Sequence, residues 1–215
     1  MTIIEMLDFT ANAEELIELA ILNCTNEWED ICDDVMVKKS RRDRIKYIMS
    51  RGHHSVLEHA KATFIFRDWS LAANQQLIRH RMASYSQMSM RYVDASGFTF
   101  KLPPDIAIDY DLTVAYLEHY ENGLKLYKRA IATEIEDEDG SFRKIKKEDA
   151  RFILPVATTT NIIVTMNLRG WMHFLKERLY PGAQWEIREA GKQILEQLIW
   201  VAPNVFDPEL RKFWL

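Results

Sequence analysis

Residues 62–83, ATFIFRDWSLAANQQLIRHRMA, change period half-way along. The first eight alternate and are rich in aromatic and β-branched types, which suits a strand. From Ser70 onward the apolar residues Leu71, Ile78 and Met82 return at helical spacing. The stretch therefore predicts a strand feeding a helix whose C-terminal end carries Arg79, His80 and Arg81.

The rest of the chain repeats neither half regularly. Toward the N-terminus, NAEELIELAIL (12–22) predicts a helix with Asn12 as N-cap and Glu15 completing a capping box. RRDRIKYIMSRG (41–52) predicts a second, with Ile45, Ile48 and Met49 inward and Gly52 as its stop. Downstream, GFTFKLPP (97–104) alternates as a strand closed by prolines. A helix from Asp111 to Glu134 carries Leu112, Tyr116, Tyr120, Leu124, Tyr127 and Ile131 on one stripe. EIEDEDGSFRK (134–144) reads as a solvated charged loop, and KKEDARFIL (146–154) as a short helix stopped by Pro155, with Phe152, Ile153 and Leu154 inward. TTTNIIVTMN (158–167) is a strand by its β-branched content. LRGWMHFLKER (168–178) and AQWEIREAGKQILEQLIW (183–200) are helices separated by LYPG. Helices dominate and the strands are not in strict β-α alternation, so the expected fold is α+β: helices around an antiparallel-type sheet, in a single domain over residues 1–215.

Composition narrows the function. The chain is 47% hydrophobic with a formal charge of -4, against the basic balance of a general nucleic-acid binder. The opening residues include Glu5 and Asp8 and no basic region, so no signal peptide is expected. No apolar run approaches the roughly 18 residues of a membrane span. Cys24 and Cys32 are the only cysteines, too few for a zinc site of the paired type and consistent with a reducing cytoplasm.

Against that acidic background, RHRMASYSQMSMRY (79–92) concentrates three arginines, a histidine and three serines. A lone RHR is an ordinary solvated helix end. The serines and the third arginine, Arg91, have no use in a helix cap. Planar guanidinium forks beside hydroxyls suit a phosphate better. GHHSVLEH (52–59) offers three histidines, but His54-x-x-x-Glu58-His59 is one residue too long for the inverted zinc motif, so no metal is expected. Ser55 and Glu58 read instead as a capping box opening a short helix, with an anion or cofactor contact as the alternative. Arg151 has a local salt bridge as its ordinary role. Asn167 sits at a strand-to-helix junction, where free N–H groups and its amide suit a ligand with carbonyl edges. Arg169 and His173 share one helical face, and Arg178 precedes a turn from which its fork could reach a cleft.

These residues coincide with a pattern. RHRMASYSQMSMRY is similar to the R-H-R-x-x-S-x-[NS]-x-x-S-x-R-Y signature of the flavin-dependent thymidylate synthases. GHHSVLEHA, ARFILPVATTT, MNLRGWMHFLKER and AQWEIREA resemble that family's other blocks, in order, from about residue 51 to 190. The resemblance implies a cytoplasmic α+β homotetramer with active sites shared between subunits. It implies FAD, 5,10-methylene-tetrahydrofolate and NADPH, and the reductive methylation of dUMP to dTMP, with neither a nucleic acid nor a membrane as partner. By the same resemblance Ser55, Arg79, His80, Arg81, Gln87, Asn167, Arg169 and His173 contact FAD. Gln76, Arg79, Gln87, Met88, Ser89, Met90, Arg91, Arg151 and Arg178 line dUMP, with Ser89 and Arg178 catalytic. The residues agree with this. Anionic ligands require a locally basic pocket, and a guanidinium beside the uracil carbonyl edge would stabilise negative charge on the ring.

The chain departs from the pattern at Gly182, where many members have a histidine beside the flavin; that contact either comes from elsewhere, with His173 a candidate, or is absent. Gln87 stands where some members have Glu, and Ser86 where some have Asn. The arginine often found near Cys24 is absent. Two rival readings remain at this level. One is a relative that transfers a hydroxymethyl group. The other is a binding module stacking bases on Tyr85 and Tyr92.

Overall fold

A computed structural model describes residues 2–25 and 40–214. In chain order it contains β1 (Ile3–Phe9), α1 (Ala13–Thr25), α2 (Arg41–Ser50) and a 3-10 turn (His54–His59). Then come β2 (Lys61–Ser70), α3 (Leu71–Leu77), β3 (Ser84–Gln87), α4 (Pro104–Ala107) and α5 (Tyr110–Ala132). The chain continues through β4 (Glu134–Glu136), β5 (Phe142–Lys144), α6 (Lys147–Ala150), β6 (Thr159–Asn167), α7 (Leu168–Arg178) and α8 (Trp185–Val201). One sheet runs β1-β2-β6-β3, and β4 and β5 form a separate antiparallel hairpin. The α+β class holds.

Contacts divide the chain into two compact units. The larger comprises Thr2–Phe66, Gln76–Ser86 and Ile163–Leu215; the smaller holds Arg67–Gln75 and Gln87–Ile162.

In the larger unit, Ala62, Phe64 and Phe66 of β2 are fully buried, as a strand with a neighbour on either side demands. Phe64 meets Trp171 edge-on at 4.9 Å, and the Trp171 indole donates to the Ala62 carbonyl at 2.9 Å. One buried Trp is thereby anchored through both its apolar body and its polar handle. Helix α2 forms as its spacing predicts: Ser40 caps it by accepting from Asp43 N, Ile45, Ile48 and Met49 are buried, and Gly52 takes φ 72°. Strand β1, which the sequence reading did not anticipate, has its outer edge covered by α8. Gln197 accepts from Met6 N at 2.9 Å and donates to Ile4 O at 3.0 Å. Gln193 accepts from Ile4 N at 3.2 Å and donates to Thr2 O at 3.3 Å. Side-chain amides there stand in for a missing strand.

In the smaller unit, Asp109 caps α5 by accepting from Leu112 N. Tyr127 is buried against Ala95 and Ala150, and its hydroxyl accepts from Ala95 N at 3.0 Å. Only part of the expected stripe is core: Tyr120 and Tyr127 are buried, whereas Leu112 and Tyr116 are exposed.

Several boundaries differ from expectation. Helix α3 stops at Leu77, leaving Ile78 and Met82 exposed. Residues 97–104 give one bridge, Phe100 to Thr158, in place of a strand, because the two prolines end the pairing. The charged loop is the β4–β5 hairpin. Phe152 and Ile153 point outward rather than inward, since residues 151–153 tighten into a 3-10 turn. The 54–59 segment is likewise a 3-10 turn, and no side chain caps it.

Candidate active site

The larger unit holds a cavity of about 460 Å³ lined by His54, Glu58, Met82, Asn167, Arg169, Gly170, Met172, His173, Lys176 and Trp214. Its floor is the start of α7. Asn167 caps that helix, its Oδ1 accepting from Gly170 N at 2.8 Å, so its remaining donor is the Nδ2 amide. Gly170 sits in close quarters: a Cβ there would lie 3.3 Å from Asn167 Oδ1 and Met166 Cβ and 3.5 Å from the Met82 carbonyl, so these neighbours would have to give way to it. Arg169 and His173 both reach the lining from one helical face, as their spacing predicts. Arg169 is ion-paired with Glu58, which explains why Glu58 caps nothing.

Two polar atoms of this lining are orphaned. His54 Nε2 and Trp214 Nε1 are buried without a hydrogen-bond partner among the described residues. Burial pushes the His54 pKa down, as do Arg169, His53 and Lys176, while a backbone contact to Met49 opposes them. The Trp214 contribution was illegible in the sequence, because nothing in PELRKFWL marks a tail that folds back. Ser55 is exposed and outside the lining.

At the end of α3 the RHR triplet splits by direction. Arg79 and Arg81 are exposed, with no ion pair among the described residues, while His80 is buried at 8% exposure. Its Nε2 accepts from Arg178 Nε at 3.0 Å. Arg178 Nη1 and Nη2 donate to Oε1 and the backbone carbonyl of Gln76, at 3.4 and 3.2 Å. Sequence reading named Gln76, His80 and Arg178 separately; the fold brings them together. Burial lowers the Arg178 pKa, with Arg79 adding to that and Glu177 opposing it, yet a guanidinium keeps its charge at any ordinary pH. Tyr85 braces the turn, its hydroxyl proton shared between the carbonyls of Leu77 and His80 at 2.8 and 2.7 Å. Burial pushes its pKa up to about 12.

The smaller unit holds a second cavity, of about 500 Å³, lined by Leu71, Gln87, Met88, Ser89, Met90, Arg151, Phe152 and Leu154. Gln87 accepts from the Asn74 amide at 3.0 Å. The Ser89 carbonyl accepts from Tyr92 N and Val93 N, and its hydroxyl from Arg91 N, shaping a tight turn at the cavity wall. Arg151 lines the cavity and makes no ion pair among the described residues, so its expected local salt bridge is not formed. Arg91 is outside the lining and pairs with Glu148 at 2.6 Å.

The model of thymidylate synthase complementing proteins matches residues 5–204. The chain belongs to that family. Its relatives include a flavin-dependent thymidylate synthase of Clostridium tetani, 36% identical over 94% of this chain and 84% of its own length. That of Geobacter sulfurreducens is 38% identical at the same coverages. A crystal structure of the UMP/dUMP methylase PolB from Streptomyces cacaoi, bound with 5-Br dUMP, superposes with a TM-score of 0.75. It covers 96% of this chain and 94% of that one; at 24% identity it speaks for the fold. For this family's chain, Gly182 is the departure to explain. A Cβ at 182 would lie 2.7 Å from Tyr180 Cε1, so the tyrosine ring takes space that a larger residue would need. His173 does line the larger unit's cavity.

Proposed function

We propose that the protein is a flavin-dependent thymidylate synthase, converting dUMP to dTMP with methylene-tetrahydrofolate as carbon donor, FAD as redox cofactor and NADPH as reductant. One observation carries this reading. Arg178 meets Gln76 across 102 residues of sequence and, among the described residues, is held by neutral acceptors alone, which leaves its charge for a ligand.

The larger cavity fits a flavin nucleotide. Its orphaned His54 Nε2 and Trp214 Nε1 offer an acceptor and a donor to a heteroaromatic ring edge, and Arg169 and Lys176 offer charge to a diphosphate. When bound, the flavin supplies hydride chemistry that no side chain can. Asn167, Arg169 and His173 would hold it, with Arg79 and Arg81 as exposed donors for phosphate oxygens. Ser89 and Arg151 would take the dUMP phosphate, and Gln87, Met88 and Met90 would line the nucleotide. Arg178 would sit at the carbonyl edge of the uracil. There a fixed guanidinium would stabilise negative charge as it develops on the ring oxygens, as preorganised donors stabilise an oxyanion.

We also propose one domain comprising both units, because β2 and β6 each carry residues of both, and a cytoplasmic homotetramer with shared active sites. Exposed Tyr110, Leu112, Tyr116 and Leu117 on α5 support the assembly. Light scattering should give about 100 kDa, four copies of a 25.3 kDa chain, and a fully active monomer would reject it. Purified protein should carry flavin absorption and make dTMP only when dUMP, methylene-tetrahydrofolate and NADPH are all present. A product heavier by one oxygen would instead establish the hydroxymethyl reading, and absence of flavin binding would overturn both.

A further inference from the structure

We propose that His80 is a positioning residue for Arg178, its Nε2 fixing the guanidinium plane against the uracil. The proposal rests on the reading of Arg178 given above. Three of the five guanidinium N–H groups are engaged: one by His80 at 3.0 Å and two by the oxygens of Gln76 at 3.4 and 3.2 Å. One N–H on each Nη remains, and the plane in which they lie is set by the Nε contact. An imidazole can accept there only when neutral, with its proton on Nδ1.

The surroundings keep it so. The Phe174 ring packs edge-on at 5.1 Å, His173 lies at 5.6 Å, and the backbone of residue 80 is pinned by its own N–H to Leu77 O and by the Tyr85 hydroxyl. The charged and titratable groups facing the ring are Arg178 and His173 of α7, with Arg79 adjacent in sequence; no carboxylate pairs with it among the described residues. Burial first, then Arg178 and His173, push the His80 pKa down to about 4. A carboxylate in this place would hold Arg178 as firmly but cancel its charge. A neutral imidazole orients the cation and leaves the charge to the ligand.

The test is a double-mutant cycle on FAD-loaded protein. His80→Leu fills the space without an acceptor, and His80→Gln restores an acceptor near the Nε2 position. His80→Leu should lower dUMP-dependent turnover by about tenfold to a hundredfold, the scale of a lost hydrogen bond to a charged group. In an Arg178→Ala background the same change should cost nothing further. His80→Gln should recover most of the loss, with turnover expressed per bound FAD throughout. Independently of turnover, nitrogen NMR should show His80 bare at Nε2 and protonated at Nδ1. The Arg178 Nε–H should exchange slowly in the wild type and in His80→Gln, and fast in His80→Leu. Additive losses or a proton on Nε2 would each overturn the proposal. Should His80→Leu not fold, the wild-type tautomer and His80→Gln decide. An Arg178→Ala variant with normal turnover would sink the Arg178 reading instead, and the ring tautomer would still judge the pairing.

Discussion

Arg178 in the larger unit and Arg91 in the smaller are both fixed guanidinium groups, and they are fixed by opposite means. Arg178 is half-buried and held by an imidazole nitrogen and two amide oxygens, all neutral. Arg91 is 54% exposed and held by the carboxylate of Glu148, whose own pKa the arginine lowers. The first arrangement positions a charge without neutralising it; the second neutralises a charge that water already screens. A ligand's negative charge gains more from the first, because the low local dielectric strengthens what the neutral partners leave uncompensated.

The largest effect should fall on the uncompensated cation. Arg178→Ala is expected to lower turnover by about 10²–10³ with FAD content near normal, the scale for removing one oxyanion donor. Wild-type turnover in steady-state assays would erase the contrast. Arg91→Ala should act on binding instead, raising the KM for dUMP about tenfold while kcat holds. Its stability should change little, since exposed ion pairs contribute little. A kcat loss matching that of Arg178→Ala would make the two arginines equivalent.

Acid should separate the two sites more gently. Unfolded His80 takes a proton near its ordinary 6.5, but the folded residue does so only at about 4. Between those values the unfolded chain binds more protons, so stability falls as pH drops through the window and levels off below about 4. Glu148 follows the same sign over a lower window, because its folded pKa is lowered too. Its carboxylate stabilisation is present above the ordinary 4.5 and is lost only as pH falls below that. Denaturant midpoints measured from pH 7 to 4.5 should therefore decline less steeply in His80→Gln than in the wild type, and be unchanged in slope in Glu148→Gln. The smallest expected effect is at the cysteines. A thiolate-dependent thymidylate synthase needs an activated sulfur in its site, but Cys24 is exposed in the last turn of α1 and lines neither cavity. Cys32, among four acids in sequence, lies outside the described residues. The Cys24→Ala, Cys32→Ala double variant should make dTMP at the wild-type rate.

How much of this was legible depends on the range of the interaction. Helices α2, α5, α7 and α8 and strands β2 and β6 declare themselves locally, through apolar spacing and stops such as Gly52, although the caps Ser40 and Asp109 were not read from the sequence. So does the convergence of Arg169 and His173, which one helix sets. The His80–Arg178 contact joins residues 98 apart, and spacing within a segment has no information about which distant side chains meet. Trp214 is the same case. Strand β1 escaped because its sequence, IIEMLDF, does not alternate cleanly, and only the glutamines of α8 make sense of it as an edge. The Ser55–Glu58 capping box failed for a related reason: the motif was right locally, but Arg169 competes for the carboxylate.

The glutamine-covered edge of β1 also dictates an order of events. Met6 and Gln197 are 191 positions apart, so on a ribosome the strand waits for nearly the whole chain before its outer amides are covered. Until α8 emerges, Ile4 and Met6 present open backbone groups to any neighbouring nascent strand. Closing so long a loop is slow, which makes this edge a late step of folding and a point of vulnerability during synthesis. Prematurely terminated chains lacking α8 would then be the species that chaperones must hold, whatever the stability of the finished fold.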